Sequence, residues 1–398
     1  MKKIFLFFSS VVFIACAEAQ TWQTQTSGTS KTLYSVFFTD VNTGYVVGDS
    51  GTILKTVNGG TNWILQTSGV TTYLGCVFFA GINTGYVVGQ NGMILKTNNA
   101  GANWDTLTRI TTQNLLSVYF CNADTGYAVG ANGTIIKTVD GGVTWFTKQS
   151  GINSLITVNA VRFTSADTGY VVGTSGYIYK TLNGGNSWNS QSDGSAGSIN
   201  LNSIYFTSTD TGYIVGANTC MLKTSNGGAS WSGVYGGGNV LNSVCFANAN
   251  TGYAVGRDGF GDGLIYTTTN AGGNWTLQSI AGNNLNSICF LGPVTGYTAG
   301  TAGLIEKYSN PTSVVNIQQA ESIKVFPNPA SDRIFIKADE IIIGSVFIIS
   351  DLSGRQLLKG KLDNETTAVD LHQLATGVYV FQSGERIRQA ITLIRNGR

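Results

Sequence analysis

The 398-residue chain has one histidine and four prolines, and only 11% of its residues are charged. Each scarcity removes a class of reading. The single histidine, His372, lies in the last quarter of the chain. Everything before it therefore lacks the imidazole that a Ser-His nucleophile or a histidine-ligated metal needs. Net charge is only +2 and no basic block occurs, which excludes a phosphate-tracking surface and, with it, nucleic acid as a partner. Beyond the N-terminal leader no apolar run reaches membrane-spanning length; Ile341 to Ile349 is nine residues and reads as a buried strand. Cysteine is sparse too. Apart from Cys16 there are five, an odd number, and Cys76, Cys245 and Cys289 sit in apolar strand patterns as small hydrophobes rather than in a disulfide framework.

What the chain does have is glycine, 52 residues of it, with abundant Thr, Ser, Tyr and Val. Glycine without proline favours many tight turns between short strands. At the N-terminus Lys2 and Lys3 precede an apolar run from Ile4 to Ala15 and then Ala17-Glu18-Ala19. This is the pattern of a secretory signal peptide over residues 1–19, cleaved after Ala19. Phe13-Ile14-Ala15 before Cys16 makes a poor lipobox, so an exported protein, soluble or attached to the surface, is expected.

The tripeptide TGY recurs at Thr43, Thr84, Thr125, Thr168, Thr211, Thr251 and Thr295, at steps of 40 to 44 residues. Each copy belongs to a four-part unit, first seen as TLYSVFF, TGYVVG, GTILKT and NWILQTS between residues 32 and 68. Four short antiparallel strands at this period are one blade of a β-propeller, whose sheets bury their faces only by stacking on each other. Trp63, Trp104, Trp145, Trp188, Trp231 and Trp275 mark six fourth strands. The seventh copy stops after Tyr308, and WQTQTSGT at Trp22 aligns with WILQTSGV at Trp63. The N-terminal segment is thus expected to complete blade seven and close the ring, removing an open edge.

The segments leading to each tryptophan, such as TVNGGTNW (56–63) and TVDGGVTW (138–145), resemble the Asp-box of sialidase-like propellers. Only the copy with Asp140 keeps the carboxylate, while the others carry Asn. A short polar side chain capping a glycine turn is a structural device. The whole unit, (D/N)TGYxVGxxGxIxKTxxGGxxW, most closely resembles the photosystem II assembly/stability factor family of seven-bladed propellers, over roughly residues 21 to 308. That resemblance implies a scaffold that works through protein contacts. Six lysines, Lys55, Lys96, Lys137, Lys180, Lys223 and Lys307, share one strand position and are read as structural.

Ligand-binding candidates are the residues that break register on the face opposite the Asp-box turns. They are Asp49, Arg109 and the sixth-blade hairpin GRDGFGDG (256–263), which brings together Arg257, Asp258, Phe260 and Asp262. Lys31, Gln90, Asn91, Lys148 and Asp193 lie on the same loops. A sialidase needs three arginines, a Tyr/Glu pair and an acid, but Arg162 lies inside a strand pattern and Glu306 is the propeller's only glutamate. Two loop aspartates, Asp49 with Asp258 or Asp262, are the most that a glycoside hydrolase could use. No metal site and no cofactor are expected. Residues 20–308 hold eleven basic and eleven acidic side chains, a neutral surface suited to a glycan or an uncharged protein partner.

After a linker (309–322) the composition changes. Alternating strand runs over 323–398 read as a small Ig-like β-sandwich. In order, Pro327-Asn328-Pro329, Asp351 with Gly354, and Gly377 with Tyr379 resemble the type A C-terminal sorting domain of the type IX secretion system of Bacteroidota. The resemblance implies that the secretion machinery recognises this domain and that it is removed after export. The resulting expectation is an all-β chain: a monomeric seven-bladed propeller with an N-terminal closing strand, delivered to the surface as a non-enzymatic binding or adhesion scaffold.

Overall fold

The computed structural model describes residues 21–147, 150–191, 197–280, 282–309, 324–328, 330–337, 343–351, 355–383 and 389–395. The leader, nearly all of the linker, Lys148, Asp193, Pro329 and Gly354 lie outside them. The chain forms two compact units, Met1–Thr312 and Ser313–Arg398.

The first unit is seven four-stranded antiparallel sheets. In blade 1 the strands are Leu33–Phe38, Gly44–Gly48, Ile53–Thr56 and Ile64–Gln66, each paired with the next. The first strand of every blade packs against the first strands of both neighbours, and Leu33–Phe38 meets Leu285–Phe290 to complete the circle. Blade 7 takes its fourth strand from the other end of the sequence: Thr21–Gln25 pairs with Ile305–Ser309, with Trp22 opposite Tyr308. The expected closing strand is in place.

The TGY signature has a separate job for each residue. Gly44 lies under the ring of its cross-strand partner Phe38, and a Cβ there would come within 2.5 Å of that ring. Tyr45 reaches the following blade and stacks on Phe79 at 4.1 Å between centroids, and Phe79 meets Trp104 edge-on at 6.1 Å. The Tyr–Phe–Trp run recurs at every blade junction, including Tyr253–Phe290–Trp22 at the last. Such rings bury large area with preferred edge and offset geometries.

The tyrosine hydroxyl and the in-register lysine then converge on one backbone carbonyl. Tyr45 Oη donates to Ala100 O at 2.8 Å and Lys55 Nζ donates to the same oxygen at 2.7 Å. Equivalent pairs hold Gly141, Gly184, Gly227, Ala271 and Gly59. Each held carbonyl belongs to the next blade's Asp-box turn, which also binds itself. Asn58 Oδ1 accepts from Thr56 Oγ1 and Asn62 N, both at 3.0 Å, and Thr56 Oγ1 accepts from Gly60 N at 2.9 Å. Asp140 adds a bond from Thr144 Oγ1, and these donors hold its carboxyl down at about 2.

The junction between blades 6 and 7 departs from this pattern for a topological reason. Blade 7 has no turn between its third and fourth strands, because the chain ends cross there. Blade 6 accordingly carries Thr267 where the others carry lysine, and Tyr308 stands where Thr56 stands in blade 1. Blade 7 also replaces the cross-strand pair Val46–Leu54 by Thr298–Glu306. Thr267 Oγ1, Thr298 Oγ1 and Glu306 Oε2 are buried without a hydrogen-bond partner, whereas the unpartnered indole Nε1 of Trp22 recurs at Trp63, Trp104, Trp145, Trp188 and Trp231. Aromatic packing takes over: Trp22 lies 5.2 Å from Tyr308 and 6.1 Å from Phe290.

The second unit packs a three-stranded sheet (Lys324–Phe326, Arg333–Lys337, Thr366–Asp370) and a four-stranded sheet (Gln356–Lys361, Val346–Ser350, Gly377–Ser383, Gln389–Arg395). Ile334, Ile336, Phe347, Ile349, Leu371 and Phe381 fill its core. Asp351 accepts from Arg355 N at 3.0 Å and pairs with its guanidinium, and Tyr379 Oη donates to Ala375 O at 2.6 Å. His372 is a surface residue set between Asp370 and Asp332.

Two outcomes are expected. Trp22→Ala should destabilise the propeller by about 3 kcal/mol in chemical denaturation, at the low end for a tryptophan because the side chain is only partly covered. Burial raises the Glu306 carboxyl above its ordinary 4.5, so folding takes up a proton and the charged form opposes folding at neutral pH. Glu306→Leu, the residue at the matching place in blade 1, should stabilise by about 1–3 kcal/mol at pH 7. The gain should shrink as the pH falls toward 4.5, which melting curves across that range would measure.

Candidate functional site

The axial channel inside the ring has two distinct ends. At one, the turn after the second strand meets the interblade linker: Gly51 N donates to Thr72 O and Asp49 N to Thr32 O. At the other, the loop after the first strand meets the Asp-box turn, as in Gly59 N to Asn42 O. We call these the linker end and the Asp-box end.

A first strand has a partner on one side only, so its outer N–H groups need acceptors. Serine supplies them. Ser35 Oγ accepts from Val77 N of the next blade at 3.2 Å, and Ser117, Ser203, Ser243 and Ser287 do the same for their neighbours. All seven first strands also carry a bulge one residue earlier, which re-aims the extra side chain. In blades 4 to 7 that residue is asparagine. Asn159, Asn202, Asn242 and Asn286 each donate to the first-strand carbonyl of the following blade at 2.8–2.9 Å.

Blades 1 to 3 break this rule with Tyr34, Gly75 and Leu116. Tyr73 occupies the space above Gly75, where a Cβ would lie 2.5 Å from its hydroxyl. Tyr34 and Tyr73 meet edge-on at 4.6 Å, and Tyr34 Oη donates to Asp49 Oδ2 at 3.3 Å. Burial, with Asp49 nearby, pushes both phenols above their ordinary value. The adjacent Thr72 hydroxyl is buried without a partner. Two neutral tyrosines and one carboxylate therefore form a small amphipathic platform at the linker end.

The other candidates are distributed around the same end. Arg109 is exposed beside Asn91 and Thr111 in a shallow depression, its nearest partner being Met93 Sδ at 4.0 Å. In blade 6, Asp258 Oδ1 accepts from Phe260 N at 2.8 Å and Asp262 N at 2.9 Å, and Asp262 Oδ1 accepts from Gly282 N at 3.2 Å. Arg257 donates to Asp258 O at 3.5 Å, while Phe260 at the tip is 96% exposed. Both aspartates thus hold their own hairpin. No hydrogen bond joins them to Asp49 among the described residues. Outside the hairpin, a cleft of about 460 Å³ opens between blades 5 and 6, where Trp275 is half-buried and Gly233 lacks a side chain.

Sequence reasoning placed Asp49 correctly on the linker-end turn but missed Tyr34 and Tyr73, because the bulge hides which face a first-strand residue takes. It also set Arg162 aside as a strand residue. At the Asp-box end Arg162 lies between the rings of Tyr119 and Tyr205, 5.0 and 5.1 Å from their centroids.

The family model for the photosynthesis system II assembly factor YCF48 matches residues 14–110 and 148–279. The chain belongs to this family. The YCF48-type propeller is followed by a match to the secretion system C-terminal sorting domain over residues 324–392, which implies export to a secreted or cell-surface location through the type IX secretion machinery. No curated protein sequence matches the chain. Among solved structures, YCF48 bound to D1 peptide is 18% identical, covers 74% of this chain and 98% of its own, and has a TM-score of 0.62. YCF48 from Cyanidioschyzon merolae is 20% identical over 73% and 99%, with a TM-score of 0.61. The GH74 xyloglucanase from Xanthomonas campestris is 12% identical over 81% of this chain and 60% of its own, with a TM-score of 0.60. At these identities the structural likeness establishes the propeller fold alone.

The hairpin assignment is testable. Asp258→Ala should speed hydrogen exchange at the Phe260 and Asp262 amides about tenfold or more, the loss of a charge-assisted bond, without changing exchange in blades 1 to 3.

Proposed function

We propose that the protein is an exported, non-enzymatic binding propeller that takes a neutral glycan at the linker end of its channel, on Tyr34, Tyr73 and Asp49. One observation carries the reading. In blades 4 to 7 the bulge asparagines are used up between blades, whereas at blades 1 and 2 the same level carries two tyrosines and a carboxylate. Aromatic faces beside one acceptor suit a sugar ring, whose C–H face packs on the ring while its hydroxyls donate to the carboxylate. The balance of eleven basic and eleven acidic residues over 20–308 adds no long-range field that would favour a charged partner. A solved propeller of this fold, YCF48, is bound to D1 peptide.

In this reading residues 1–19 are removed as a signal peptide, 20–308 are delivered as a monomeric propeller, and 309–322 tether the sorting domain, 323–398, which is removed after export. The rival reading, glycoside hydrolysis by Asp49 with Asp258 or Asp262, draws on the fold shared with the GH74 xyloglucanase. It needs two carboxylates flanking one bond, and Asp258 is already engaged by the amides of Phe260 and Asp262.

The mature protein should bind neutral oligosaccharides on a glycan array. Tyr73→Ala should weaken that binding at least tenfold when measured below its melting temperature on folded protein, and chromogenic sialosides and β-glucans should not turn over. Turnover abolished by Asp49→Asn or Asp258→Asn would replace the scaffold with the hydrolase, and glycan binding indifferent to Tyr73→Ala would remove the site.

A further inference from the structure

The next-to-last residue of each first strand forms a collar at the Asp-box end of the channel: Phe37, Phe78, Tyr119, Arg162, Tyr205, Cys245 and Cys289. Neighbours around the collar touch, as in Phe37–Phe78 at 5.3 Å and Phe78–Tyr119 at 5.2 Å. Six positions are met by uncharged side chains, so closing the ring does not require a cation here. Blade 4 nevertheless carries Arg162, half-buried, its guanidinium carbon over the rings of both Tyr119 and Tyr205.

None of the groups around Arg162 neutralises it. Tyr119 Oη donates to Phe163 O and Tyr205 Oη to Phe246 O, so both phenols are committed as donors to backbone. Burial pushes the Tyr205 phenol and the Cys245 thiol up to about 12 and the Cys289 thiol up to about 11, which leaves all three uncharged. Among the described residues no carboxylate pairs with Arg162 and no oxygen accepts from it. Cation–π contact offsets part of the cost of burying the charge, but it satisfies none of the five guanidinium N–H groups. The two rings flank the guanidinium carbon and leave its N–H donors without an acceptor among the described residues, and a guanidinium is a planar fork matched to a carboxylate.

We propose that Arg162 is an anion-binding residue, receiving the carboxylate of a small ligand that enters the channel from the Asp-box end. Tyr119 and Tyr205 are positioning residues that hold the guanidinium plane between them. The site lies at the opposite end from Tyr34, Tyr73 and Asp49 and stands or falls independently of the glycan reading.

The test is a titration of the ¹⁵N-labelled mature protein with acetate and with galacturonate, at constant ionic strength, following the arginine Nε–H resonances. One resonance, missing from Arg162→Gln, should shift saturably with both probes, and Arg109→Gln and Arg257→Gln should bind as the parent does. Tighter binding of galacturonate than of acetate would identify an acidic sugar as the source of the carboxylate, and equal binding a simple organic acid. Arg162→Lys keeps the charge and loses the fork, and should bind at least tenfold more weakly with its melting temperature retained. That variant carries the test if Arg162→Gln does not fold. The absence of any saturable shift, or saturation unchanged in Arg162→Lys, would overturn the assignment.

Discussion

Six of the seven blade junctions depend on one backbone oxygen each. A carbonyl in the Asp-box turn receives a tyrosine hydroxyl and a lysine ammonium from the blade before it, at 2.6–2.9 Å. The oxygen is fixed in place by its own turn, where Thr and Asx side chains tie the glycines down. The tyrosine is fixed by stacking on a phenylalanine, and that ring lies flat only because a glycine faces it. Sheet, turn and junction are therefore one mechanism: weakening the turn loosens the next blade's partner and weakening the ring misplaces the hydroxyl. Carbonyls as acceptors also explain why the propeller needs so little acid. Six of its lysines each donate to a backbone carbonyl of the next blade, so the lysines that look like surface charge in the sequence are cross-blade hydrogen-bond donors.

Much of this was legible in the sequence because identity of position reflects identity of environment. TGY, the lysine and the tryptophan recur at one spacing, and each recurrence meets the same neighbours. The place of Trp22 could be read from its alignment with Trp63 alone, since the slot it fills recurs at every junction. The site was less legible for a matching reason. The proposed sites lie where the repeat fails, and a failed repeat can be read only when the level of each residue is known. The bulge before Ser35 shifts the alternation by one, so Tyr34 and Arg162 belong to one strand pattern yet serve opposite ends of the channel. Tyr73 sits outside any strand and gains its place only because Gly75 leaves room. By contrast, Asp258 and Asp262 drew attention as adjacent carboxylates, and their hydrogen bonds within the hairpin account for them.

The two ends of the channel differ in chemistry. The linker end combines phenols and a carboxylate, while the Asp-box end combines rings, thiols and an unpaired guanidinium. A neutral net charge conceals this separation, because acid and base cancel in the sum and not in space.

The closure of blade 7 has a bearing on the order of events during synthesis. The pairings within blades 1 to 6 join strands close in sequence and can form as the chain lengthens. Blade 7 is completed by Thr21–Gln25 against Ile305–Ser309, and its packing on blade 1 likewise brings Leu285–Phe290 to Leu33–Phe38; both contacts link opposite ends of the unit, where loop-closure entropy is largest. Until the Thr21–Gln25 pairing forms, the Ile305–Ser309 edge of blade 7 has no strand beside it. Trp22, with Tyr253, Phe290 and Tyr308 around it, supplies the aromatic contact that covers the buried polar atoms of this seam.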